Sequence, residues 1–198
     1  MNKSVLMLGL GAALMVSGCS KSGDGNSTAA TGQTPAASKA AGGQTIAAGI
    51  PANSQFMAAA RAAGLDKTLA GPGPYTVFVP DDAAFAKLPP GTLGTSADPK
   101  QRANIIGILT YLILPGTVLS ADIGKTIDNA KGKAVMMTVS GQTFTASRDG
   151  NTIVLTDAAG HTAHVTKADQ QFSNGVVHQI DGVLTPPAPG AQGTPAAK

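Results

Sequence analysis

The sequence predicts an α+β domain in which short helices precede a group of antiparallel strands. Helical signals dominate from about residue 53 to residue 130, interrupted by one strand-like segment at 75–79. Short segments rich in β-branched residues, separated by tight-turn sequences, follow as far as residue 184. Helices that come first and strands that come later are typical of an α+β domain and not of an alternating parallel sheet.

The length and composition fit one folded domain with low-complexity ends. The chain has 198 residues, and all five Phe and both Tyr fall between Phe56 and Phe172, which delimits the region able to build a core. A net charge of +3 arises from 14 Lys+Arg against 11 Asp+Glu, with no dense basic block. Nucleic-acid binding is therefore not predicted, although the isoelectric point is about 9.1.

Residues 1–18 have the form of a secretory signal. An apolar run at 5–16 is followed by the small residues Ser17 and Gly18, directly before Cys19, the only cysteine. The run is shorter than the roughly 20 residues that a transmembrane helix needs. The end of the segment resembles the lipobox of bacterial lipoproteins, which implies cleavage after residue 18 and lipidation of Cys19 with acyl chains such as palmitate. A simple signal with an incidental cysteine is the alternative.

Low-complexity segments flank the predicted domain, which is expected at residues 45–185. Residues 19–44 lack aromatic and branched aliphatic side chains and predict a lipidated N-terminus with a flexible linker. Residues 186–198 are mainly Pro, Ala and Gly and predict a disordered tail. Because Ser20 and not Asp follows the cysteine, the lipoprotein resemblance favours the outer membrane or cell surface.

Capping residues predict the first helices. Asn53 or Ser54 is expected to cap a helix that ends at Gly64. After the strand at 75–79, Pro80 breaks the extended segment.

Asp81 or Asp82 is expected to cap the helix that follows Pro80 and to place Phe85 on its inner face. Asp82 is interpreted as a helix cap rather than as a binding site.

The most hydrophobic helix is predicted between the Asp-Pro pair at 98–99 and the Pro-Gly pair at 115–116. Its apolar residues recur at helical spacing as far as Ile113. Ser120 is expected to cap a brief helix at 121–130.

Turn sequences separate the predicted antiparallel strands. The Asn174-Gly175 turn introduces the last of them, and Met136 and Met137 are expected to face opposite sides. The predicted strands are 134–139, 142–147, 152–156, 162–167 and 176–184.

Three blocks resemble the fasciclin (FAS1) domain family over essentially all of residues 45–185. They are GPGPYTVFVPDDAAFAKLP at 71–89, LTYLILPGTVLSADI at 109–123 and NGVVHQIDGVLTPP at 174–187. The resemblance implies a single-domain β-wedge of antiparallel strands flanked by short helices. It also implies that Asp82, Phe85, Tyr111, Asn174, Gly175 and His178 occupy structural motif positions.

Two departures limit what the resemblance implies. Tyr111 is followed by Leu112 where the family has His, so a role for that histidine does not transfer. Animal members often carry an Asp-Ile pair for integrin recognition before the last block, but here Gln170 follows Asp169. An integrin function is therefore not predicted.

Three residues remain as candidates for partner binding. Asp122 and Ile123 supply an Asp-Ile pair after a different turn, and Asp181 alternates outward with Gln179 in the last strand. Asp181 is equally compatible with a surface salt bridge.

Catalysis, metal binding and cofactor binding are not predicted. His161 and His164 are three residues apart in a turn and strand, which does not suit joint chelation. His178 shares parity with apolar residues and is expected to be a buried, backbone-bonded side chain. The sequence contains no G-x-S-x-G elbow or Walker-type loop.

These observations predict a non-catalytic, lipid-anchored envelope protein that presents one domain for adhesion or matrix interaction. The expected partner is a protein or polysaccharide of the envelope or matrix, with the membrane bound through the lipid. The alternatives are a carrier of a small hydrophobic ligand held between sheet and helices, and an assembly or folding accessory.

Overall fold

A computed structural model describes residues 43–88 and 99–187. In these residues the helices are α1 (Ile46–Gly49), α2 (Gln55–Ala63), α3 (Asp66–Ala70), α4 (Asp82–Ala86), α5 (Pro99–Tyr111) and α6 (Ser120–Asn129). The strands are β1 (Tyr75–Pro80), β2 (Ile113–Pro115), β3 (Lys133–Met137), β4 (Thr143–Asp149), β5 (Thr152–Thr156), β6 (Thr162–Phe172) and β7 (Gly175–Ile180).

Side-chain caps fix the start of two helices. Ser54 caps α2, since its hydroxyl accepts from the Met57 N–H at 3.3 Å, and Gly64 ends the helix in the left-handed conformation. The cap of α4 is Asp81, which accepts from the Ala84 N–H at 2.6 Å. These bonds satisfy amide groups that a helix leaves unpaired at its start.

Asp82 is not the cap of its own helix, so that interpretation is wrong. It is the first residue of α4, and its carboxylate accepts from the Gln55 N–H at 2.9 Å. Asp82 therefore bonds to the first turn of α2, a long-range contact that local sequence does not indicate.

The core helix is shorter than predicted and ends at Tyr111. Ile113 lies in β2, where it pairs antiparallel with Val77 of β1. A short apolar run is compatible with either element, and pairing with β1 decides in favour of a strand. The first residue of the Asp-Pro pair at 98–99, where the helix is predicted to start, lies outside the described residues. Ser120 is the first residue of α6 and not its cap, because it bonds to Asp169 instead.

The seven strands form a mostly antiparallel sheet in the order β2-β1-β7-β6-β5-β4-β3. The prediction of antiparallel strands holds except between β1 and β7, which pair in parallel from Tyr75↔Gly175 to Pro80↔Ile180. Strand β6 extends to Phe172, beyond its predicted end, and contains irregularities between Val165 and Gln170.

Strand β6 divides the sheet into two halves that face each other as a wedge. Its residues 162–164 pair with β5, whereas Val165 and later residues pair with β7. Phe78 of β1 and Phe144 of β4 meet edge to face at 5.6 Å between ring centroids. The Val139 N–H donates to the Ile113 carbonyl at 2.8 Å, which connects the ends of the two outermost strands.

Candidate functional site

The Asp-Ile pair at the start of α6 is divided between surface and core. Asp122 is exposed and lies 3.7 Å from the ammonium group of Lys125. Ile123 is only 1% exposed and packs into the hydrophobic core. The prediction of Ile123 as a binding residue is therefore wrong, because helical periodicity turns it inward one position after Asp122.

Asp181 follows the end of β7 and is bound within the domain. Its carboxylate accepts from the His164 N–H at 2.7 Å and lies 3.0 Å from His164 Nδ1. Burial acts to raise the pKa of Asp181, but hydrogen bonds from His164 outweigh it and leave the pKa below its ordinary value. The side chain is 38% exposed, so a partner could reach only part of it.

Asn174 joins three segments of the domain. Its Oδ1 accepts from the Ile46 N–H, and its Nδ2 donates to the carbonyls of Leu69 and Gly71, each at 2.8 Å. The next residue must be small, because a Cβ on Gly175 would lie 1.9 Å from the Tyr75 carbonyl oxygen. The Asn174-Gly175 turn thus holds α1 and the end of α3 against the sheet.

His178 is completely buried and bonds to backbone groups on both ring nitrogens. Nε2 donates to the Val118 carbonyl at 2.9 Å, and Nδ1 accepts from the Asp169 N–H at 3.2 Å. Burial is the main cause that lowers the pKa of His178, although the Val118 carbonyl opposes it. The imidazole is therefore held in its neutral form.

Ser120, Asp169 and His178 lie close together without the geometry of a catalytic triad. The Ser120 hydroxyl and N–H both donate to the Asp169 carboxylate, the N–H at 2.7 Å. A triad needs the hydroxyl to donate to a histidine that is in turn oriented by the carboxylate. Here Nε2 of His178 is occupied by the Val118 carbonyl, so the histidine cannot take a proton from Ser120.

The remaining motif side chains lie in the core. Phe85 is 4% exposed on the inner face of α4. Tyr111 is fully buried, its hydroxyl donates to the Thr143 carbonyl at 2.8 Å, and burial raises its pKa to about 12. Within the described part of the chain, no group of three His, Cys, Asp or Glu could hold a metal ion. No helix among those residues is long and apolar enough to span a bilayer.

An exposed apolar row lies on β3 and directly after it. We call Val135, Met137 and Val139 the β3 row; their exposed fractions are 68%, 65% and 50%. Alternate positions in a strand share one face, so Val135 and Met137 project together, and Val139 lies in the turn that follows β3. Met136 packs against the core, so the two methionines face opposite sides, as predicted. The row is not evident from the sequence, because apolar residues occupy both faces of this edge strand and hide the alternation.

Threonine side chains border the β3 row. Val135 pairs with Thr145 and Met137 with Thr143 on β4, and Thr145 pairs in turn with Thr156 on β5. Directly paired residues project to the same face of a sheet. The β3 row and its neighbours therefore form an apolar strip beside uncharged hydroxyl groups.

Comparison with known proteins places the chain in a family. The Fasciclin domain family matches residues 51–186, and the chain belongs to this family. The match covers the wedge-shaped sheet, the β3 row and the network around His178.

The similarity to individual relatives extends over only part of their length. The chain is 36% identical to Protein sll1483 of Synechocystis over 65% of this chain and 64% of that protein. It is 35% identical to Immunogenic protein MPB70 of Mycobacterium bovis over 59% of this chain and 52% of that protein. The chain thus spans about half to two thirds of these relatives.

A solved structure of a FAS1 domain pair, from the insect cell adhesion molecule Fasciclin I, also matches. The TM-score is 0.49 at 25% sequence identity, over 65% of this chain and 43% of that chain.

Proposed function

We propose that this protein is a non-catalytic, lipid-anchored envelope protein whose fasciclin domain binds a protein partner through the β3 row. The observation that carries the proposal is the row itself. Within the described residues, Val135, Met137 and Val139 are the large hydrophobic side chains that are exposed; Val135 and Met137 share one face of β3, and Val139 follows in the adjoining turn. Contiguous exposed apolar surface on a folded domain marks an interaction site.

The composition of this surface favours a protein partner over a polysaccharide. Interfaces between proteins have an apolar core in which Met is enriched and charged residues are depleted, surrounded by a polar rim. Met137 occupies the middle of the row, and the hydroxyl groups of Thr143 and Thr145 lie beside it. Lys133, the first residue of β3, is the only charged residue of this strand.

The anchoring part of the proposal is supported by the sequence. The signal-like residues 1–18 and the lipobox-like end before Cys19 are the features expected of a bacterial lipoprotein. Two or more acyl chains on one cysteine give stable membrane attachment. The linker at 19–44 would then hold the domain away from the outer membrane or cell surface.

The alternative of a hydrophobic-ligand carrier is less well supported. A cavity does lie between the sheet and the helices, but its volume is about 190 Å³ and Asp81, Asp82, Gln170 and Gln179 contribute to its wall. Carboxylates and amides do not suit a wholly apolar ligand.

The proposal is tested by introducing lysine side chains into the β3 row. Crosslinking in intact cells identifies the partner of the wild-type protein, and its affinity is then measured with purified components. The double variant Val135→Lys with Met137→Lys should lose the partner, since two buried ammonium groups would be unpaired at the interface. A matched control, Ala58→Lys with Thr68→Lys, adds the same charge at exposed positions of α2 and α3 and should retain the partner.

Circular dichroism and thermal melting establish that both double variants are folded. Retained affinity in the folded β3 variant would overturn the proposal. So would a partner that proves to be a polysaccharide.

A further inference from the structure

Strand β3 lies at the edge of the strand order, and its pairing with β4 fixes which backbone groups face outward. Thr138 continues this pairing, and its N–H donates to the Gln142 carbonyl at 2.9 Å. Alternate residues of an antiparallel strand direct both their N–H and their C=O groups to the same neighbour. Ala134 and Met136 therefore bond to β4, and the residues that alternate with them direct their backbone groups away from it.

Two of these outward residues have open backbone groups. Val135 and Met137 have no backbone hydrogen-bond partner on their outer side among the residues that the structure describes. On either side of them the outward N–H groups are already bonded. The Lys133 N–H donates to the turn after α6 at 3.5 Å, and the Val139 N–H donates to β2 at 2.8 Å. The edge of β3 thus offers a short open window, and open edges are templates for a further strand.

This window is complementary to a second copy of itself. When two β3 strands lie antiparallel about a two-fold axis at Met136, Val135 of each copy lies opposite Met137 of the other. Residues opposed in this way can exchange both of their backbone hydrogen bonds. Every open N–H of the two windows then has an acceptor. Lys133 and Val139, whose N–H groups are already bonded, lie opposite each other at the ends.

The side chains match across the same axis. Val135 and Met137 share one exposed face of β3, so each Val135 would lie beside the Met137 of the other copy. Cross-strand pairs of apolar side chains stabilise a sheet. Thr145 and Thr143 of β4 continue these two rows within each copy. Pairing of the two edges therefore covers the flank of each apolar side chain that is open in a single copy.

Charge does not oppose the association of two copies. Residues 43–187 contain ten Lys+Arg and ten Asp+Glu, and a net charge near zero favours self-association. Lys133 is the only charged residue of β3. In the two-fold register the two Lys133 residues lie at opposite ends of the paired strands, roughly 20 Å apart along the strand direction. No like charges face each other across the axis.

We propose that the partner of the β3 row is a second copy of this chain, joined β3 to β3 in an antiparallel dimer with its two-fold axis at Met136. The inference rests on the proposed function, because it names the partner of the same surface. The interface uses the same residues in both copies, as closed two-fold symmetry requires. Copies anchored through Cys19 would share one membrane plane, which raises their effective concentration.

Cysteine crosslinking of the full chain in intact cells tests the register. Met136→Cys should form a disulfide between copies, because the Cα atoms of a non-hydrogen-bonded antiparallel pair lie about 4.5 Å apart, within disulfide range. Lys133→Cys is the control on the same strand and should crosslink far less, because its two copies are distant. Both variants retain Cys19, so any crosslink through that residue contributes equally. Absence of the disulfide in folded Met136→Cys, or equal crosslinking of Lys133→Cys, would overturn the proposed register.

A proline variant tests the backbone pairing. The Met137 N–H points away from β4, so Met137→Pro leaves the bonds to β4 in place, and proline is tolerated at such edge positions. Sedimentation equilibrium of the full chain in density-matched detergent should show a dimer dissociation constant raised at least about tenfold, because two hydrogen bonds between the copies are lost. Met137→Leu keeps the N–H and an apolar side chain, and should dimerise like the wild type.

Unchanged association of a folded Met137→Pro protein would contradict the pairing. If this variant does not fold, the cysteine crosslinks still decide between the outcomes.

The double variant Val135→Lys with Met137→Lys separates this inference from the proposed function. A wild-type dimer that is lost in the folded double variant supports both. If crosslinking instead identifies a different protein, and the double variant loses that protein, the proposed function stands and the dimer is excluded. A dimer that persists unchanged in the folded double variant contradicts both, because like charges would then be directly opposed across the axis.

Discussion

The buried carboxylate of Asp157 accepts two hydrogen bonds from Thr185, one from the backbone N–H at 3.0 Å and one from the hydroxyl at 3.1 Å. The same carboxylate accepts from the N–H groups of Ala159 and His161, each at 2.9 Å. One side chain therefore closes the turn after β5 and fastens the segment that follows β7.

Removing this carboxylate should destabilise the domain. In Asp157→Ala the partly buried N–H groups of Thr185, Ala159 and His161 lose their acceptor, and the loss of these bonds should cost about 1–3 kcal/mol. Urea unfolding measures the change. The control is Asp149→Ala at the exposed end of β4, which should alter the free energy of unfolding by less than about 0.5 kcal/mol. Equal midpoints for the two variants would contradict the proposed role of Asp157.

Acid should weaken the domain partly through Asp157. Burial acts to raise the pKa of its carboxyl, but hydrogen bonds from Thr185 and His161 outweigh burial and hold the pKa below the ordinary 3.8. The stabilisation is therefore complete above pH 3.8 and is lost as the pH falls through the folded-state pKa. Unfolding measured between pH 6 and pH 2 should show a smaller loss of stability for Asp157→Asn than for the wild type. Parallel pH curves would show that another group is responsible.

His178 should act as a structural residue at neutral pH. His178→Ala leaves the Val118 carbonyl and the Asp169 N–H without partners, which should cost about 1–3 kcal/mol. The half-exposed His164 is the comparison, and its alanine variant should lose less stability than His178→Ala. Stoichiometric zinc or copper bound by the wild type and lost in His178→Ala would contradict this role.

Burial also makes the contribution of His178 dependent on pH. Its folded-state pKa is lowered below 6.5, so the unfolded chain binds the proton first. The stabilisation is complete above pH 6.5 and declines as the pH falls towards the folded-state pKa. The difference in free energy of unfolding between the wild type and His178→Ala should consequently be smaller at pH 5 than at neutral pH.

Local sequence signals predicted the features that depend on neighbouring residues. The cap at Ser54 and the left-handed end at Gly64 involve only one helix, and the alternation around His178 places it inside. The predicted end of α5 was wrong, because Ile113 continues an apolar run. Its strand conformation is decided by pairing with β1, which is far away in sequence.

The exposed β3 row was hidden for a related reason. Exposure of Met137 depends on β3 lying at the edge of the strand order. This property is not encoded within a short window. Burial of Ile123 likewise follows from the packing of α6, although the adjacent Asp122 is exposed.

Cys19 should be the site of membrane attachment. Cys19→Ser removes the thiol that thioether lipidation requires, so the variant should appear as soluble protein or as unprocessed precursor. Membrane fractionation and mass spectrometry of the mature N-terminus measure the effect, with Ser20→Ala as the control that keeps the thiol. Unchanged membrane association of the Cys19→Ser protein would exclude the anchor.

The folded domain should bind its partner without the linker or the tail. A trimmed chain must include Gln44 and Thr185, because both make hydrogen bonds to the domain. The Gln44 carbonyl accepts from the Ser173 N–H at 2.8 Å, and the Thr185 N–H donates to the Asp157 carboxylate. A chain of residues 43–187 keeps both contacts and the β3 row. It should unfold cooperatively, with the same midpoint and the same partner affinity as the full chain.

A shorter chain that begins at Ile46 is the comparison for this trimming. It lacks the acceptor for Ser173, so its midpoint should be lower while its partner affinity is retained. The linker and tail contain no aromatic side chain, and such side chains are enriched among the residues that dominate interface energies. If the 43–187 chain folds normally but loses the partner, recognition lies in the linker or tail, and the β3 row is not the binding surface.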